Sequence, residues 1–264
     1  MTQFSRRFYP VGLPQVFYMA ESPFRPIVFS VNTYNFNQAS YLVGILQPIS
    51  TNQHTVKDSF RFADWAKSYK HRNGIMDSFD VCSLFTNVPL DETIQICLGK
   101  LYVLPDSPAI PGPVLKKLLE FATKKSHFIL DGQYYDLIDG VAMGSPLGPL
   151  LVNIFMCDFE EKWITYTPRF HPTLWFRYVD DTFSMFDSKD TANEFLKYLN
   201  SSHSHTQEKG NSIKFTTEFE QAKEIPFLNI LVKRCPNNTF ITSVYREKTF
   251  TGFYTKWDSF TPRK

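Results

Sequence analysis

The sequence predicts an α+β fold in which a mostly antiparallel sheet carries helices on one face. Two observations predict it. Three segments have the alternation or the aromatic and β-favouring composition of strands, and the stretches between them place apolar residues three and four positions apart, as helices do. The strand-like segments are 78–84, 176–186 and 213–219.

The segment 176–186 is the feature around which the rest of the chain is organised. Two runs of aromatic and β-favouring residues flank Asp180 and Asp181, which predicts a β-hairpin with two carboxylates at its tip. Adjacent carboxylates repel each other and become favourable when a divalent cation binds them. The alternative is an ordinary solvated Asp-Asp turn.

In the first half of the chain, alternation marks the strands, and apolar faces that end at Gly or Pro mark the helices. The predicted elements are a strand at 24–29, a helix with Tyr41, Leu42, Ile45, Leu46 and Ile49 on one face that ends near Pro48, a helix over 56–69 stopped by Asn73-Gly74, the strand 78–84, a helix opened by Pro89 and Asp91-Glu92, and a helix with Val114, Leu115, Leu118, Leu119 and Ala122 inward.

The second half continues with signals of the same kind. The predicted elements are a hairpin over 126–138 across Asp131-Gly132, a Gly/Pro loop at 140–149 that leads into a helix over 150–163, a helix opened by a capping box at Thr191–Glu194, the strand 213–219, and a hairpin of 227–232 with 239–245. A glycine-rich loop before a helix suits phosphate binding or a close backbone approach, although a plain helix-entry turn explains it as well.

Composition excludes several classes of protein. The chain has 264 residues, a net charge of +2 and 16% aromatic residues, so it is not disordered, and overall charge does not demand a nucleic-acid partner. Its four cysteines lie far apart without a CxxC pair, as in an intracellular protein with reduced thiols. No run approaches the roughly 18 apolar residues of a membrane span, so no membrane partner is expected.

Asp80 lies on the predicted strand 78–84, far from the Asp180-Asp181 pair in sequence. If the hairpin lies beside that strand, the three carboxylates converge. Such a group suits two Mg²⁺ ions, held by carboxylate oxygens and by substrate phosphates.

These residues resemble the reverse transcriptases of retroelements, most closely those of Penelope-like elements. The resemblance extends from about residue 7 to the end of the sequence, and the motifs occur in the family's order. The catalytic motifs are Asp80–Pro89 for the first, Ala142–Pro149 with Asn153–Met156 for the one that positions template and nucleotide, and Tyr178–Asp181 for the catalytic hairpin. Pro226–Ile230 resembles the primer grip, and Val244–Arg246 with Phe250–Gly252 resembles the entry to the thumb.

The resemblance implies an RNA-directed DNA polymerase with a right-hand palm, partial fingers and the beginning of a thumb. Its expected partners are an RNA template, a DNA primer and deoxynucleoside triphosphates, and its expected cofactor is a pair of Mg²⁺ ions, for which Mn²⁺ can substitute. It also implies fingers and connection over 1–75, palm over 76–235 with inserted helices at 90–125, and primer grip and thumb over 236–264. Nuclear residence follows from the resemblance alone.

Roles follow residue by residue from the same resemblance. Asp80, Asp180 and Asp181 would form the catalytic triad and bind metal, with the main-chain carbonyl of Val81 as a further ligand. The other implied roles are a sugar gate at Phe85 (or a core ring), a triphosphate contact at Arg25 (or a surface cation), close approach to the nascent base pair at Gly144, a nucleotide contact at Asn153 (or a packed amide), and a general acid at Lys223.

Two alternatives stay open. A truncated or co-opted domain could bind nucleic acid without turnover, as the incomplete thumb and the non-basic Gln15 in the fingers suggest. Asn229 in place of the usual Asp and Glu247 in place of the usual Lys are further departures from the family pattern. An RNA-dependent RNA polymerase would share the palm and triad, but Phe85 argues against it. The motifs end just inside the expected thumb, and we therefore expect a fragment of a mobile element.

Overall fold

The computed structural model describes residues 35–71, 73–124, 127–130, 133–136, 140–165, 170–202 and 213–246, with backbone alone for 127–130 and 133–136. Arg25 and the predicted strand at 24–29 lie outside these residues.

The helices and strands of the described chain are numbered in chain order. The helices are α1 (Phe36–Leu46), α2 (Ser59–Ser68), α3 (Leu84–Asn87), α4 (Leu90–Leu101), α5 (Gly112–Lys124), α6 (Gly148–Glu160) and α7 (Lys189–Ser202), with a 3₁₀ turn at Gln47–Ile49 and a π-helical turn at Glu161–Thr165. The strands are β1 (Ile75–Val81), β2 (His127–Leu130), β3 (Gln133–Asp136), β4 (Leu174–Tyr178), β5 (Asp181–Phe186), β6 (Phe215–Phe219), β7 (Glu224–Phe227), β8 (Ile230–Arg234) and β9 (Phe240–Val244).

The central sheet has the strand order β4-β5-β1-β6, and its pairs are antiparallel. The predicted hairpin over 176–186 forms β4 and β5, and β1 pairs with β5 on one side and β6 on the other. The early strand is therefore flanked by two strands that come much later in the chain, since Asp80 pairs with Asp181 of β5 and with Thr216 of β6.

Alternation along β1 divides the core between the two faces of this sheet. Phe79 and Val81 belong to the larger core, to which α1, α4, α5, α6 and α7 contribute. Met76, on the opposite face, belongs to a second core with Phe183 and Met185 of β5, residues of α2, and residues of the β7-β8-β9 sheet. The predicted α+β fold with an antiparallel sheet is confirmed, and the face opposite the main helical layer is also covered.

The β7-β8-β9 sheet differs from the single hairpin that the sequence predicts between 227 and 245. An additional strand, β7, pairs with β8 across a turn at Leu228 and Asn229, whose φ angles are +52° and +61°. Sequence reasoning missed this turn because it contains neither Gly nor Pro. Asn229 stands where the family usually has Asp. Asn and Asp both tolerate the left-handed conformation that position 229 of this turn needs.

Three helix predictions need correction. Val114, predicted to face inward, lies in the first turn of α5 and is 47% exposed, whereas Leu115, Leu119 and Ala122 are buried. Helix α7 begins at Lys189, so Thr191 lies inside it, and the Ser188 hydroxyl accepts a 3.2 Å hydrogen bond from the Thr191 amide instead. Tyr41, predicted to face inward, is 62% exposed, because α1 buries Ala39, Leu42 and Leu46. Among the described helices, none is long and apolar enough to cross a bilayer.

Candidate active site

The sheet register brings the predicted acids together. The Cα atom of Asp80, near the end of β1, is the ladder partner of the Cα atom of Asp181, the first residue of β5. Directly opposed residues in an antiparallel pair have Cβ atoms roughly 5 Å apart. Asp180 precedes Asp181 in the turn, so the three acids lie at the same end of the central sheet.

The turn that carries Asp180 is tight. Tyr178 pairs with Asp181, which leaves Val179 and Asp180 as a two-residue loop. Val179 has a φ of +56°, a left-handed conformation that a β-branched residue rarely adopts. Such a residue costs about 1–3 kcal/mol and persists only where neighbouring contacts hold it. The tip is therefore strained directly beside a predicted metal ligand.

Thr182 links the two strands just behind the acids. Its hydroxyl accepts a 2.6 Å hydrogen bond from the Phe79 amide and donates a 2.8 Å hydrogen bond to the Phe79 carbonyl. Thr182 is fully buried. This side chain ties β5 to β1 one residue before Asp80, which helps to hold the register that opposes Asp80 and Asp181.

The three acids lie at the end of the central sheet where side chains become accessible to solvent. Asp80 and Asp181 are exposed and Asp180 is half-buried, whereas Phe183, two residues further along β5, is fully buried. Desolvation, followed by the charges of Asp180 and Asp80, raises the pKa of Asp181. The three carboxylates therefore act on one another electrostatically, and a cation between them would relieve their repulsion.

The donors at this end of the sheet are of the kind that Mg²⁺ prefers, namely carboxylate oxygens. Within the described ranges, no three His, Cys, Asp or Glu side chains form a group that could hold a metal ion as they stand. Two observations therefore carry the fit of a metal ion to this site: the available donors are carboxylate oxygens, and the charges of Asp180 and Asp80, with desolvation, raise the pKa of Asp181. Val81 ends β1 with its side chain buried, which leaves its main-chain carbonyl as the group it could offer.

Phe85 lies on the short helix α3, which follows a reversal of the chain at Ser83, where φ is +49°. It is half-buried against the helical core, and its carbonyl accepts a 2.8 Å hydrogen bond from the Val141 amide. Gly140 approaches the same backbone so closely that an added Cβ would lie 2.6 Å from the Phe85 carbonyl oxygen. The Gly/Pro loop and the candidate sugar gate are therefore in direct contact.

The Gly/Pro loop is held tightly where it joins α6. A Cβ added at Gly148 would lie 2.4 Å from the Ala142 carbonyl oxygen, so a side chain there would force the loop to move. Gly144 lies in the intervening turn and is half-buried. The predicted close approach of Gly144 to a base pair stays a prediction.

Sequence reasoning missed a buried ion pair behind the hairpin. Arg177 of β4 and Glu160 at the end of α6 have side chains that are 0% exposed, and the Arg177 Nε atom lies 2.7 Å from the Glu160 Oε1 atom. Burial opposes the charged form of Arg177, but the charge of Glu160 and its hydrogen bonds raise the pKa of Arg177 overall. The sequence offered one signal: Arg177 is a charged residue in an otherwise apolar strand, at a position where alternation directs the side chain toward the core.

Asn153, a predicted nucleotide contact, belongs to this network. Its Oδ1 atom accepts a 2.9 Å hydrogen bond from the Arg177 Nη1 atom. Arginine can only donate, so the amide orientation is determined and its Nδ2 group is left to donate elsewhere. The packing alternative for Asn153 is thus partly realised, and a nucleotide contact through Nδ2 stays a prediction.

Lys223 is not brought to the acids. It lies exposed in the turn between β6 and β7, with a φ of +65°. Residue Thr216, early in β6, pairs with Asp80, whereas the Glu220 amide bonds the Met76 carbonyl toward the other end of β1. Lys223 therefore lies beyond the far end of that strand, and its role as general acid is a prediction that the described geometry does not support.

Comparisons with known proteins identify the family of this chain and solved structures of similar fold. Residues 21–230 match the family model described as reverse transcriptase (RNA-dependent DNA polymerase). A search of curated protein sequences gave no significant match.

Among solved structures, the chain is similar in fold to telomerases of two yeasts. Apo telomerase from Candida tropicalis has 15% identity and a TM-score of 0.57, with 80% of this chain and 42% of that chain covered. Telomerase from Candida albicans in complex with a fragment of telomeric RNA has 10% identity and a TM-score of 0.53, with 78% and 38% covered. The chain thus spans less than half the length of these telomerases.

Proposed function

The chain belongs to the reverse transcriptase (RNA-dependent DNA polymerase) family, and from this premise we propose that it extends a DNA primer along an RNA template with deoxynucleoside triphosphates. We propose further that it is the polymerase domain of a retrotransposon of the Penelope-like type, which rests on the motif resemblance. One observation carries the catalytic part, namely the ladder pairing of Asp80 with Asp181 beside Asp180.

The three acids would hold the metal ions of a two-metal nucleotidyl transfer. Asp80 and Asp180 are the proposed shared ligands, with the Val81 carbonyl beside them, and Asp181 completes the acidic group. Two Mg²⁺ ions would lower the pKa of the primer 3′-hydroxyl and neutralise charge on the departing pyrophosphate. The protein's own contribution is to hold these oxygens on two paired strands, where the ladder limits their movement.

Selection of the sugar is proposed for Phe85. Its ring would collide with a 2′-hydroxyl and so favour deoxynucleotides over ribonucleotides. The contact between its backbone and the Gly140–Val141 segment supports this proposal, because it ties the ring's backbone to the loop predicted to position the nucleotide.

A primer-extension assay tests the proposal directly. The chain is incubated with an annealed RNA template and DNA primer, deoxynucleotides, and either Mg²⁺ or Mn²⁺. We expect incorporation by the parent and a loss on the order of a hundredfold or more in Asp180→Asn, because a metal ligand is removed. Equal incorporation by both proteins would overturn the enzyme assignment.

The matched control is Asp187→Asn, which removes an exposed carboxylate just after β5 and away from the triad. It should extend primers like the parent. Urea unfolding of both variants separates lost chemistry from lost folding. The competing function, a co-opted domain that binds nucleic acid without turnover, predicts that the parent binds the template–primer and that none of the three proteins incorporates nucleotides.

A further inference from the structure

The buried ion pair behind the hairpin is fully hydrogen-bonded on its acidic side. Glu160 accepts from the Arg177 Nε atom at 2.7 Å and from its Nη2 atom at 3.2 Å. The Trp175 indole donates to the same carboxylate at 3.0 Å, and the Asn52 amide donates at 2.7 Å. Four donors on one buried carboxylate fix Glu160, and Glu160 in turn fixes the plane of the guanidinium.

The remaining arm of Arg177 reaches the turn that carries Asp180. Its Nη1 atom donates a 3.1 Å hydrogen bond to the Val179 carbonyl and a 2.9 Å hydrogen bond to the Asn153 amide oxygen. One guanidinium therefore holds α6 through Glu160 and Asn153, and holds the turn through Val179. This is a fork that lysine could not reproduce, because an ammonium is a single point of charge.

Val179 is the strained residue of the turn, at a φ of +56°. A two-residue hairpin loop with a positive φ at its first position normally has Gly there. The Val179 carbonyl belongs to the peptide that leads into Asp180. A bond to that carbonyl therefore controls the orientation of the peptide plane from which the Asp180 side chain departs.

We infer that Arg177 is a positioning residue for the acidic triad, which it serves by holding Val179 in the left-handed conformation and so setting the direction of Asp180. Glu160 acts through Arg177. A buried ion pair is weak support for stability as such, but one that grips a strained turn beside metal ligands has a geometric task. The catalytic consequence rests on the proposed polymerase function, whereas the effect on cation binding does not.

The test measures Mn²⁺ binding to the full chain without template, primer or nucleotide, from the free-ion electron paramagnetic resonance signal. Arg177→Lys keeps a cation for Glu160 and loses the bond to Val179. We expect it to weaken Mn²⁺ binding about 10- to 100-fold, as loss of a supporting contact to a metal ligand does. Adding Val179→Gly should restore most of the affinity, because Gly adopts the turn without help.

The matched control is Arg234→Lys, which alters another Arg–Glu pair, with Glu220, near Met76 at the opposite end of β1 from Asp80. It should leave Mn²⁺ affinity unchanged whatever it does to stability. Arg177 and Glu160, with the bond from Arg177 to the Val179 carbonyl, form a unit that we call the clamp. Should Arg177→Lys fail to fold, Glu160→Gln loosens the clamp and should weaken Mn²⁺ binding by a smaller factor, again rescued by Val179→Gly.

Unchanged Mn²⁺ affinity in a folded clamp variant, or a loss that Val179→Gly does not repair, would overturn the inference. Absence of saturable Mn²⁺ binding by the parent would overturn it together with the metal site. Primer extension separates the two proposals. A parent whose Mn²⁺ affinity depends on Arg177 but that does not extend primers refutes the polymerase proposal alone. A parent that extends primers, while Arg177→Lys leaves its Mn²⁺ affinity unchanged, refutes the inference about Arg177 alone.

Discussion

Asp77 offers a sharp test of the structure, because it is a buried acid on the strand that carries Asp80. Its side chain is fully buried on β1, and the Ser184 hydroxyl donates to its Oδ1 atom. Among the described residues its Oδ2 atom has no hydrogen-bond partner, and the nearby Thr217 hydroxyl lowers the pKa without reaching ordinary hydrogen-bond geometry. Burial, with the charge of Glu220, raises the pKa of Asp77 to about 7.

The sign of the effect follows from proton binding. The folded protein holds the Asp77 proton up to about pH 7, whereas the unfolded chain releases it near the ordinary value of 3.8. The contribution of protonated Asp77 to the free energy of unfolding is therefore fully present below about pH 4, and it is lost as the pH rises to about 7. About three pKa units correspond to roughly 4 kcal/mol, of which roughly 2 to 3 kcal/mol should be lost between pH 5 and pH 8.

The perturbation is Asp77→Asn, which cannot ionise. Its amide oxygen can accept from Ser184, and its amide nitrogen can donate toward Thr217. Urea unfolding of parent and variant at pH 5 and pH 8 gives the difference in unfolding free energy at each pH. We expect the variant to gain roughly 2 to 3 kcal/mol relative to the parent between those two values.

The matched control for this prediction is Asp187→Asn, an exposed acid at the end of the neighbouring strand, whose curve should run parallel to that of the parent. The charges that face Asp77 include Glu220, which Arg234 pairs, and they are the same in parent and variant. Parallel pH curves for the parent and Asp77→Asn would refute the assignment of a buried, proton-holding acid.

Two further predictions concern the loop beside Phe85. Phe85→Ala should raise ribonucleotide relative to deoxynucleotide incorporation roughly 10- to 100-fold in primer extension, and an unchanged ratio would count against the gate. Gly140→Ala should destabilise the fold by about 1–3 kcal/mol in urea, because φ is +74° and the added Cβ would meet the backbone of Phe85 and Thr86. Gly99→Ala, in open space within α4, should instead gain up to about 1 kcal/mol, and similar midpoints for both variants would contradict this reasoning.

Local patterns predicted much of the fold because they report events within a few residues. Alternation located β1, although the strand begins and ends three residues earlier than predicted. Runs of aromatic and β-favouring residues located the β4-β5 hairpin, and the acids at its tip stood out as adjacent like charges. The same logic failed at Leu228, where a non-glycine residue takes a positive φ. No local signal marks such a residue, since surrounding packing imposes its conformation.

The candidate site divides in the same way. Asp80, Asp180 and Asp181 could be named from the motifs, and the register of β1 and β5 places Asp80 opposite Asp181. Their role as metal ligands stays a prediction. The clamp of Arg177 and Glu160 could not be named. An arginine beside an aromatic residue on a strand is usually read as solvent-exposed, and its partner comes from a helix that the strand meets only after folding.

The sequence by itself determined which residues alternate, which helices carry an apolar face, and which acids stand at the tip of a hairpin, because each depends on the geometry of one short segment. Only the tertiary structure decided that Asp80 lies opposite Asp181, that Asp77 is sealed from water, and that Arg177 holds the turn. Those relations join segments distant in the chain, and their register depends on how two cores pack on either side of one sheet.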